Sequence, residues 1–467
     1  MTSKIIYAIL FFSVFSMNSQ VNFEQHLIST EFWRPQIIVA GDMDGDGDDD
    51  LIYGGQGDEH IFWTENVDGQ GSFEGAFWVG GFFSGLYEII VTDVDGDNDL
   101  DVVGTSPGNH RIIWFENRDG LGDFGQVGDP GFIISESENS PKGLFAADMD
   151  GDNDMDILKT SDVAPNFYWQ ENLDGLGNYG PAIAIFEDSA LGPLRVRAFD
   201  IDGDGDNDPL ITQFGPNGNI SWAENLDGQA DFGPKTVISQ ENFSASWVEI
   251  IDFDNDQDLD IVAIKTIPNV SGEVLLFRND GGGNFDNPQV LTTINGIIKC
   301  VFPVDFDNDN DYDLVFSSND LGGLGSIFWV ENQGNGTFGP NTLVSDWLVH
   351  DTRSLYPSDF DDDGDKDFVV ASWGTDKIEW FENTVTLGLD DEPLDSLTLY
   401  PNPTSGRIII SSIELLQHIE VFNELGQLVA RNSNKKDIDV SHLDSGIYFI
   451  TLIDQNNLRI MKKIIKE

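Results

Sequence analysis

The residues best equipped for chemistry in this chain are aspartates, set at every second position of a nine-residue phrase that occurs seven times. The copies carry Asp42, Asp44, Asp46, Asp48 and Asp50; Asp93, Asp95, Asp97, Asp99 and Asp101; Asp148, Asp150, Asp152, Asp154 and Asp156; Asp200, Asp202, Asp204, Asp206 and Asp208; Asp252, Asp254, Asp256, Asp258 and Asp260; Asp305, Asp307, Asp309, Asp311 and Asp313; and Asp359, Asp361, Asp363, Asp365 and Asp367. The sixth position is Gly, Asn or Gln in every copy. Side chains at alternate loop positions converge on one point when such a residue lets the backbone turn tightly. Carboxylate and carbonyl oxygens at that density suit Ca²⁺, and crowding them without a cation is strongly repulsive. Up to seven structural calcium ions are therefore expected. An EF-hand begins in a similar way but needs flanking helices and a Glu at position twelve. Position twelve here holds Tyr53, Gly104, Lys159, Ile211, Ala263, Phe316 and Val370, so that reading fails.

The phrases start 51, 55, 52, 52, 53 and 54 residues apart, the signature of a repeat architecture. An apolar run leads into each acidic loop, as in Gln36–Ala40, and a second follows at once, as in Leu51–Tyr53 or Phe368–Val370. A third run carries Trp-x-Glu-Asn, with Trp63, Glu65 and Asn66 in the first copy and Trp380, Glu382 and Asn383 in the last. The fifth copy departs, with Leu276 and Arg278 before Asn279. A Gly-rich turn then precedes a fourth run opening at Phe73, Phe124, Tyr179, Phe232, Phe285 or Phe338. Short β-branched and aromatic runs between turn residues read as strands. Four strands per repeat near this period fit a propeller blade. The predicted fold is all-β: a seven-bladed β-propeller followed by a small C-terminal β-sandwich. The last repeat stops after its third strand at Asn383, and the segment Phe23–Ser29 matches the missing fourth. That segment is expected to complete the seventh blade beside Ile378–Phe381 and so to close the ring.

These phrases resemble the calcium loops of FG-GAP and VCBS repeats, as in the propellers of integrin α-subunits. The resemblance covers about Phe23 to Asn383. It implies one calcium per hairpin between first and second strands, held by side chains one, three, five and nine and the carbonyl of position seven. In the first loop those are Asp42, Asp44, Asp46 and Asp50, with Asp48 acting through its backbone. Loops five to seven place Asn255, Asn308 and Asp362 where the fourth position is otherwise Gly.

The formal charge is −60, from 83 acidic and 23 basic residues. This argues against nucleic acid and anionic membrane surfaces, which need a basic footprint. The single cysteine, Cys300, lies in an apolar run and reads as a buried thiol. Residues 1–19 read as a signal peptide, with Lys4 before an apolar run at Ile5–Phe15 too short to span a bilayer. No later run is long enough for a transmembrane helix. The propeller is assigned to residues 21–383 and a linker to 384–396. Residues 397–467 form a separate domain with alternating strands at 407–410, 418–422 and 447–452. The phrases Leu399–Gly406, Val421–Gln427, Val440–Tyr448 and the Lys-rich end resemble the type A C-terminal sorting domain of type IX secretion. That implies contact with the type IX machinery and a product secreted from, or attached to the outer membrane of, a Gram-negative bacterium.

In related propellers ligands meet the face opposite the calcium hairpins. The loops on that face here hold Phe32, Trp33 and Arg34, then Phe82 and Phe83, then Trp347, His350 and Arg353. Six residues before each phrase stand Gln36, Tyr87, Lys142, Leu194, Ser246, Lys299 and Arg353. Trp33, Arg34, Lys142, Lys299, Trp347 and Arg353 are the candidate ligand-binding residues, because aromatics with cations suit sugars or acidic polymers. A blander reading has them balance local acidic charge and fill gaps between blades. His60 and His110 both precede third strands in neighbouring repeats, but no fixed-spacing catalytic motif accompanies them. Two function classes follow: a non-enzymatic surface or secreted binding or adhesion protein for glycan or protein, and a polysaccharide-active enzyme such as a lyase.

Overall fold

Each repeat folds into a four-stranded antiparallel sheet because its β-branched and aromatic runs alternate with Gly-, Asn- and Asp-rich turns. The computed structural model describes residues 21–384 and 398–466, apart from 58, 82, 137–139, 163–165, 186–191, 216–217, 240–244, 268–270, 320–324, 335–336, 347–350, 401, 412–415, 424–427, 434–436, 444 and 455–458. The signal peptide assigned to 1–19, the linker beyond Thr384, Phe82, Trp347 and His350 lie outside the described residues. Two units emerge, one at Val21–Thr384 and one in the tail.

In the first blade the strands are Pro35–Gly41, Asp50–Gly55, His60–Asn66 and Phe73–Gly81, hydrogen-bonded in that order. The same order repeats over residues 89–136, 141–184, 193–237, 245–294 and 297–346. The seventh sheet takes three strands from the end of the propeller, Thr352–Ser358, Asp367–Ser372 and Lys377–Asn383, and its fourth from the beginning, Phe23–Ser29. Phe23 pairs with Asn383, Gln25 with Phe381 and Leu27 with Glu379, so the expected closure is made. His26 stacks on Trp380 at 4.6 Å and bonds Glu382 at 2.7 Å, which holds the closing strand by its side chains as well. First strands of adjacent blades lie side by side all the way round, with the first blade beside both the second and the seventh.

The second strands are covered on both faces, and every residue of Asp50–Gly55, Asp101–Ser106, Asp156–Ser161 and Asp367–Ser372 is buried. The core lies between blades. Ile37, Ile52 and Trp63 of the first pack with Ile89, Val102 and Phe115 of the second. Ile38, Leu51 and Tyr53 pack with Val369, Ile378 and Trp380 of the seventh.

Two local features differ from the sequence pattern. The aromatic expected to open the fourth strand does so at Phe73 only. Tyr179, Phe232, Phe285 and Phe338 each make a single bridge to the Asn of their repeat, and the fourth strand starts later. Pro181, Pro234, Pro288 and Pro340 follow these aromatics and interrupt the ladder, since proline has no N–H to donate. The second feature is a β-bulge in the first strand of six blades, with register shifts spanning Gln36, Lys142, Leu194, Ser246, Lys299 and Arg353. These are the residues six positions before the acidic phrases, and a bulge re-aims the side chain it carries.

The tail is a two-sheet unit. Thr398–Tyr400, Arg407–Ser411 and Asp437–Asp439 form one sheet; Leu428–Ser433, Leu416–Asn423, Gly446–Asp454 and Arg459–Lys466 form the other. Ile408, Ile410 and Ile438 pack with Ile419, Val421, Ile450 and Ile464 to make its core. Among the described residues no helix is long and apolar enough to cross a membrane.

Candidate functional site

Each acidic loop is a hairpin whose first carboxylate gathers backbone N–H groups. Asp42 accepts from Gly45 at 2.7 Å, Asp46 at 3.1 Å and Gly47 at 3.0 Å, and Asp200 does the same with Gly203, Asp204 and Gly205. The fourth and sixth positions are left-handed in every loop, which explains the Gly and Asn found there. Asn255 (φ 61°), Asn308 (φ 56°) and Asp362 (φ 54°) adopt the conformation of the glycines they replace.

The ninth position is the anchor. Asp50 accepts the N–H of Met43 at 3.0 Å on one oxygen and that of Asn66 at 2.8 Å on the other. The same pair of bonds recurs at Asp101, Asp156, Asp208, Asp260, Asp313 and Asp367. Burial pushes Asp50, Asp101, Asp208 and Asp367 up to about 7, Asp313 to about 8, and Asp156 and Asp260 to about 6, although the two N–H bonds oppose it.

In the first, second and fourth loops one oxygen from each of positions one, three and nine lies within 4.8 Å of the others; in the third loop the group is Asp148, Asp150 and Asp152. The third-position oxygens Oδ1 of Asp95, Asp150, Asp202 and Asp361 are buried without any hydrogen-bond donor. Carboxylates gathered this closely, with a buried lone pair left over, fit a hard divalent cation. The seventh-position side chains of the first, second and fourth loops turn towards the next turn of the blade, whereas Asp154 and Asp365 stay among the carboxylates of their own loops. A Cβ on Gly69, Gly120 or Gly228, in the turn between third and fourth strands, would collide with the carboxylate of Asp48, Asp99 or Asp206.

The Trp-x-Glu-Asn strand proves to be a joint between blades. Asn66 Nδ2 donates to the Phe360 carbonyl of the seventh blade at 2.9 Å. Asn117, Asn172, Asn225, Asn279 and Asn383 reach back in the same way to Met43, Val94, Met149, Ile201 and Phe306, the second positions of the preceding acidic loops. The Trp of one blade packs under the Gly turn of the next: a Cβ at Gly71, Gly122 or Gly177 would collide with Trp380, Trp63 or Trp114. The Glu faces the acidic loop. Burial first, then the fifth-position Asp and Glu116, push Asp95 up to about 6; Asp361 reaches about 6 from burial and Asp363, with Glu382 a smaller contributor. In the fifth blade Arg278 replaces this Glu and its Nε donates to Asp254, the third position, at 3.0 Å.

Of the candidate ligand residues, the structure brings Trp33, Arg34, Arg353 and Lys299 into one neighbourhood where the sixth, seventh and first blades meet. Arg34 and Arg353 both lie over the Trp373 ring, each 4.5 Å from its centroid, and Arg34 is 5.4 Å from that of Trp33. Arg353 and Lys299 share Asp351 as counter-ion, at 3.0 and 3.6 Å. Asp376 accepts the Arg34 N–H at 2.8 Å. Arg34, Asp351 and Asp376 are all left-handed non-glycine residues, a concentration of backbone strain. Trp33 is 55% exposed. Lys142 stands apart, paired to Asp162 at 2.7 Å and 5.9 Å from the Tyr87 ring centroid. His60 meets Trp78 edge-on at 4.6 Å, and His110 Nδ1 accepts the Ser140 N–H at 3.1 Å. Trp373, Asp351 and Asp376 were missed in the sequence, since nothing local to them says that three loops meet there.

Seven four-stranded sheets in a closed ring, each with an Asp-rich hairpin between its first two strands, define a β-propeller with cation-type loops. The chain belongs to the FG-GAP-like repeat family, whose model matches residues 42–104, 93–159, 200–263 and 252–316, together about half of the chain. The model of the secretion system C-terminal sorting domain matches residues 398–467, so the protein is exported through type IX secretion and is secreted or at the cell surface. Among curated proteins the chain is similar to an ulvan lyase of Nonlabens ulvanivorans, 23% identical over 256 residues, covering 50% of this chain and 45% of that protein. It is also similar to cartilage acidic protein 1 of Xenopus tropicalis, 22% identical over 314 residues, covering 62% and 40%. The chain thus spans less than half the length of either relative. Its fold is like that of BBS1N in a crystal structure with ARL6DN, soaked with mercury, at a TM-score of 0.51 and 8% identity over 79% of this chain and 99% of that one.

Proposed function

We propose that this exported propeller is a non-enzymatic binding protein that holds an acidic glycan at the Trp33–Arg34–Trp373–Arg353 cluster. The observation that carries the reading is the stacking of two guanidinium groups on one indole beside an exposed second one. Such a surface offers flat apolar area and fixed cationic donors together, and arginine forks suit carboxylate and sulfate groups. Asp351 and Asp376 hold the guanidinium and backbone geometry in advance, which lowers the ordering cost of binding. The acidic loops belong to construction in this reading. Positions one, three, five and nine, with the carbonyl of seven, hold calcium. The ion supplies the positive charge that lets the carboxylates crowd, and it clamps each hairpin. A glycan array with carboxylated and sulfated polymers tests the binding role. Expected is retention that drops at least tenfold in Trp33→Ala and Trp373→Ala; an array that stays blank while a protein partner is captured overturns the glycan assignment.

A second reading, a polysaccharide lyase, is favoured by the likeness to an ulvan lyase. His60 or His110 would then serve as base. Incubation with acidic polysaccharides, followed by ultraviolet absorbance of unsaturated products, separates the two. Turnover lost in His60→Ala or His110→Ala replaces the binding-only reading with the enzyme.

A further inference from the structure

The seven first strands surround a central cavity of about 400 Å³, and the polar groups in it do not balance. Glu88 Oε1 of the second blade is paired to Arg195 of the fourth, whose guanidinium lies on the Trp247 ring at 3.9 Å. Trp247 Nε1 donates to Glu249 Oε1 at 2.7 Å, and Arg197 donates to the same oxygen at 3.3 Å and to the Val196 carbonyl at 2.9 Å. Each of these donor groups has its acceptor. Glu88 Oε2 has no donor, although Glu88 is only 4% exposed. A buried carboxylate oxygen left in this state is costly, so the cavity is short of a hydrogen-bond donor.

From Trp247 onward the cavity wall is aromatic. Trp247, Phe302 and Tyr356, on successive blades, touch ring to ring, with centroids 5.7 and 6.2 Å apart. An anionic guest would face two carboxylates whose guanidinium partners are already engaged. A cationic guest would face those two guanidiniums. A neutral ring with hydroxyl donors on its edge and C–H groups on its face meets neither objection, and the cavity volume lies in the range of small-ligand sites.

We propose that the central channel is a binding site for a neutral sugar ring, with one hydroxyl donated to Glu88 Oε2 and its C–H face against Phe302 and Tyr356. This site is separate from the outer cluster and does not depend on the function assigned there. The test is calorimetry and tryptophan fluorescence on the full chain in calcium-containing buffer, titrated with the methyl glycosides of glucose, galactose, mannose, xylose and rhamnose. At least one is expected to bind with a Kd on the order of 1 mM, as suits about a dozen non-hydrogen atoms. Glu88→Gln should weaken it by roughly tenfold or more. Ile90→Trp narrows the lumen that Ile90 lines and leaves the Glu88–Arg195 pair in place, so it should abolish binding; Ile90 also packs against Ile112 and Leu144 between the blades, so the melting temperature is followed alongside and Glu88→Gln supplies the independent check. Trp33→Ala should leave it unaltered. No binding by any of the five up to roughly 100 mM, binding that survives Ile90→Trp, or binding lost in Trp33→Ala each overturns the proposal.

Discussion

Arg278 changes the charge at one acidic loop and at no other, because it stands where the other six repeats place Glu. Its guanidinium already neutralises part of the Asp254 carboxylate that a cation would use. The fifth loop should therefore bind calcium more weakly than the rest. Calorimetric titration of the metal-free protein is expected to resolve six tighter sites and one weaker, and Arg278→Glu should bring the seventh into the main group; seven equivalent sites in the unaltered protein would refute this. The Asn of the third strand is a residue-scale determinant of a different kind. Asn117 donates to the Met43 carbonyl of the preceding blade and accepts the Gly122 N–H in its own. Asn117→Ala leaves the buried Met43 carbonyl without this partner, at a cost of about 1–3 kcal/mol, and the half-buried Gly122 N–H adds less. Asn332 donates within its own blade, to Tyr312, so Asn332→Ala should cost less. Chemical denaturation of the two variants gives the comparison.

At the scale of the hairpin, the ion-free loop works against its own charge. The ninth-position carboxylates have folded values near 6 to 8 because they are buried, against about 3.9 for an unfolded Asp. A carboxyl raised in the folded state favours folding through the proton it binds. That contribution is complete below the unfolded value and is lost as pH rises through the folded one. The metal-free protein should thus lose stability between pH 5 and 8 (the window from about one unit above the unfolded value to the highest folded one). Calcium replaces the protons, so its stabilising effect should be larger at the alkaline end of that window. Melting curves with calcium and with chelator across the window are expected to diverge as pH rises, and curves that stay a constant distance apart would count against the loops as cation sites.

The whole molecule depends on a strand borrowed from its other end. Phe23–Ser29 covers the edge of Lys377–Asn383, and without it that edge is free to pair with another chain. Deletion of residues 21–29 should lower the melting temperature and produce association visible by light scattering. A peptide of residues 21–31 added in trans should reverse both. A deletion variant that stays monomeric and melts unchanged would show that the ring holds without its closing strand.

The repeat pattern determined the seven sheets, the acidic hairpins and the closing segment, and short phrases beyond the repeat marked the sorting tail. Each is written in a run of neighbouring residues, where spacing and residue type express the backbone's needs directly. Positions four and six of the loops show this, since a left-handed residue selects Gly or Asn. What the tertiary structure decided are relations between residues far apart in the chain. Asn66 meets Phe360 across 294 residues, and Glu88 meets Arg195 across 107. Trp-x-Glu-Asn was visible as a repeated strand, yet its Asn proved to fasten six of the seven blades to the one before. Glu88, Arg195, Arg197 and Glu249 stand at or in the first strands of three blades, and nothing local to them says what they meet. Only the closed ring turns those strands inward, so that side chains from separate blades share one cavity and the donors and acceptors there can be counted.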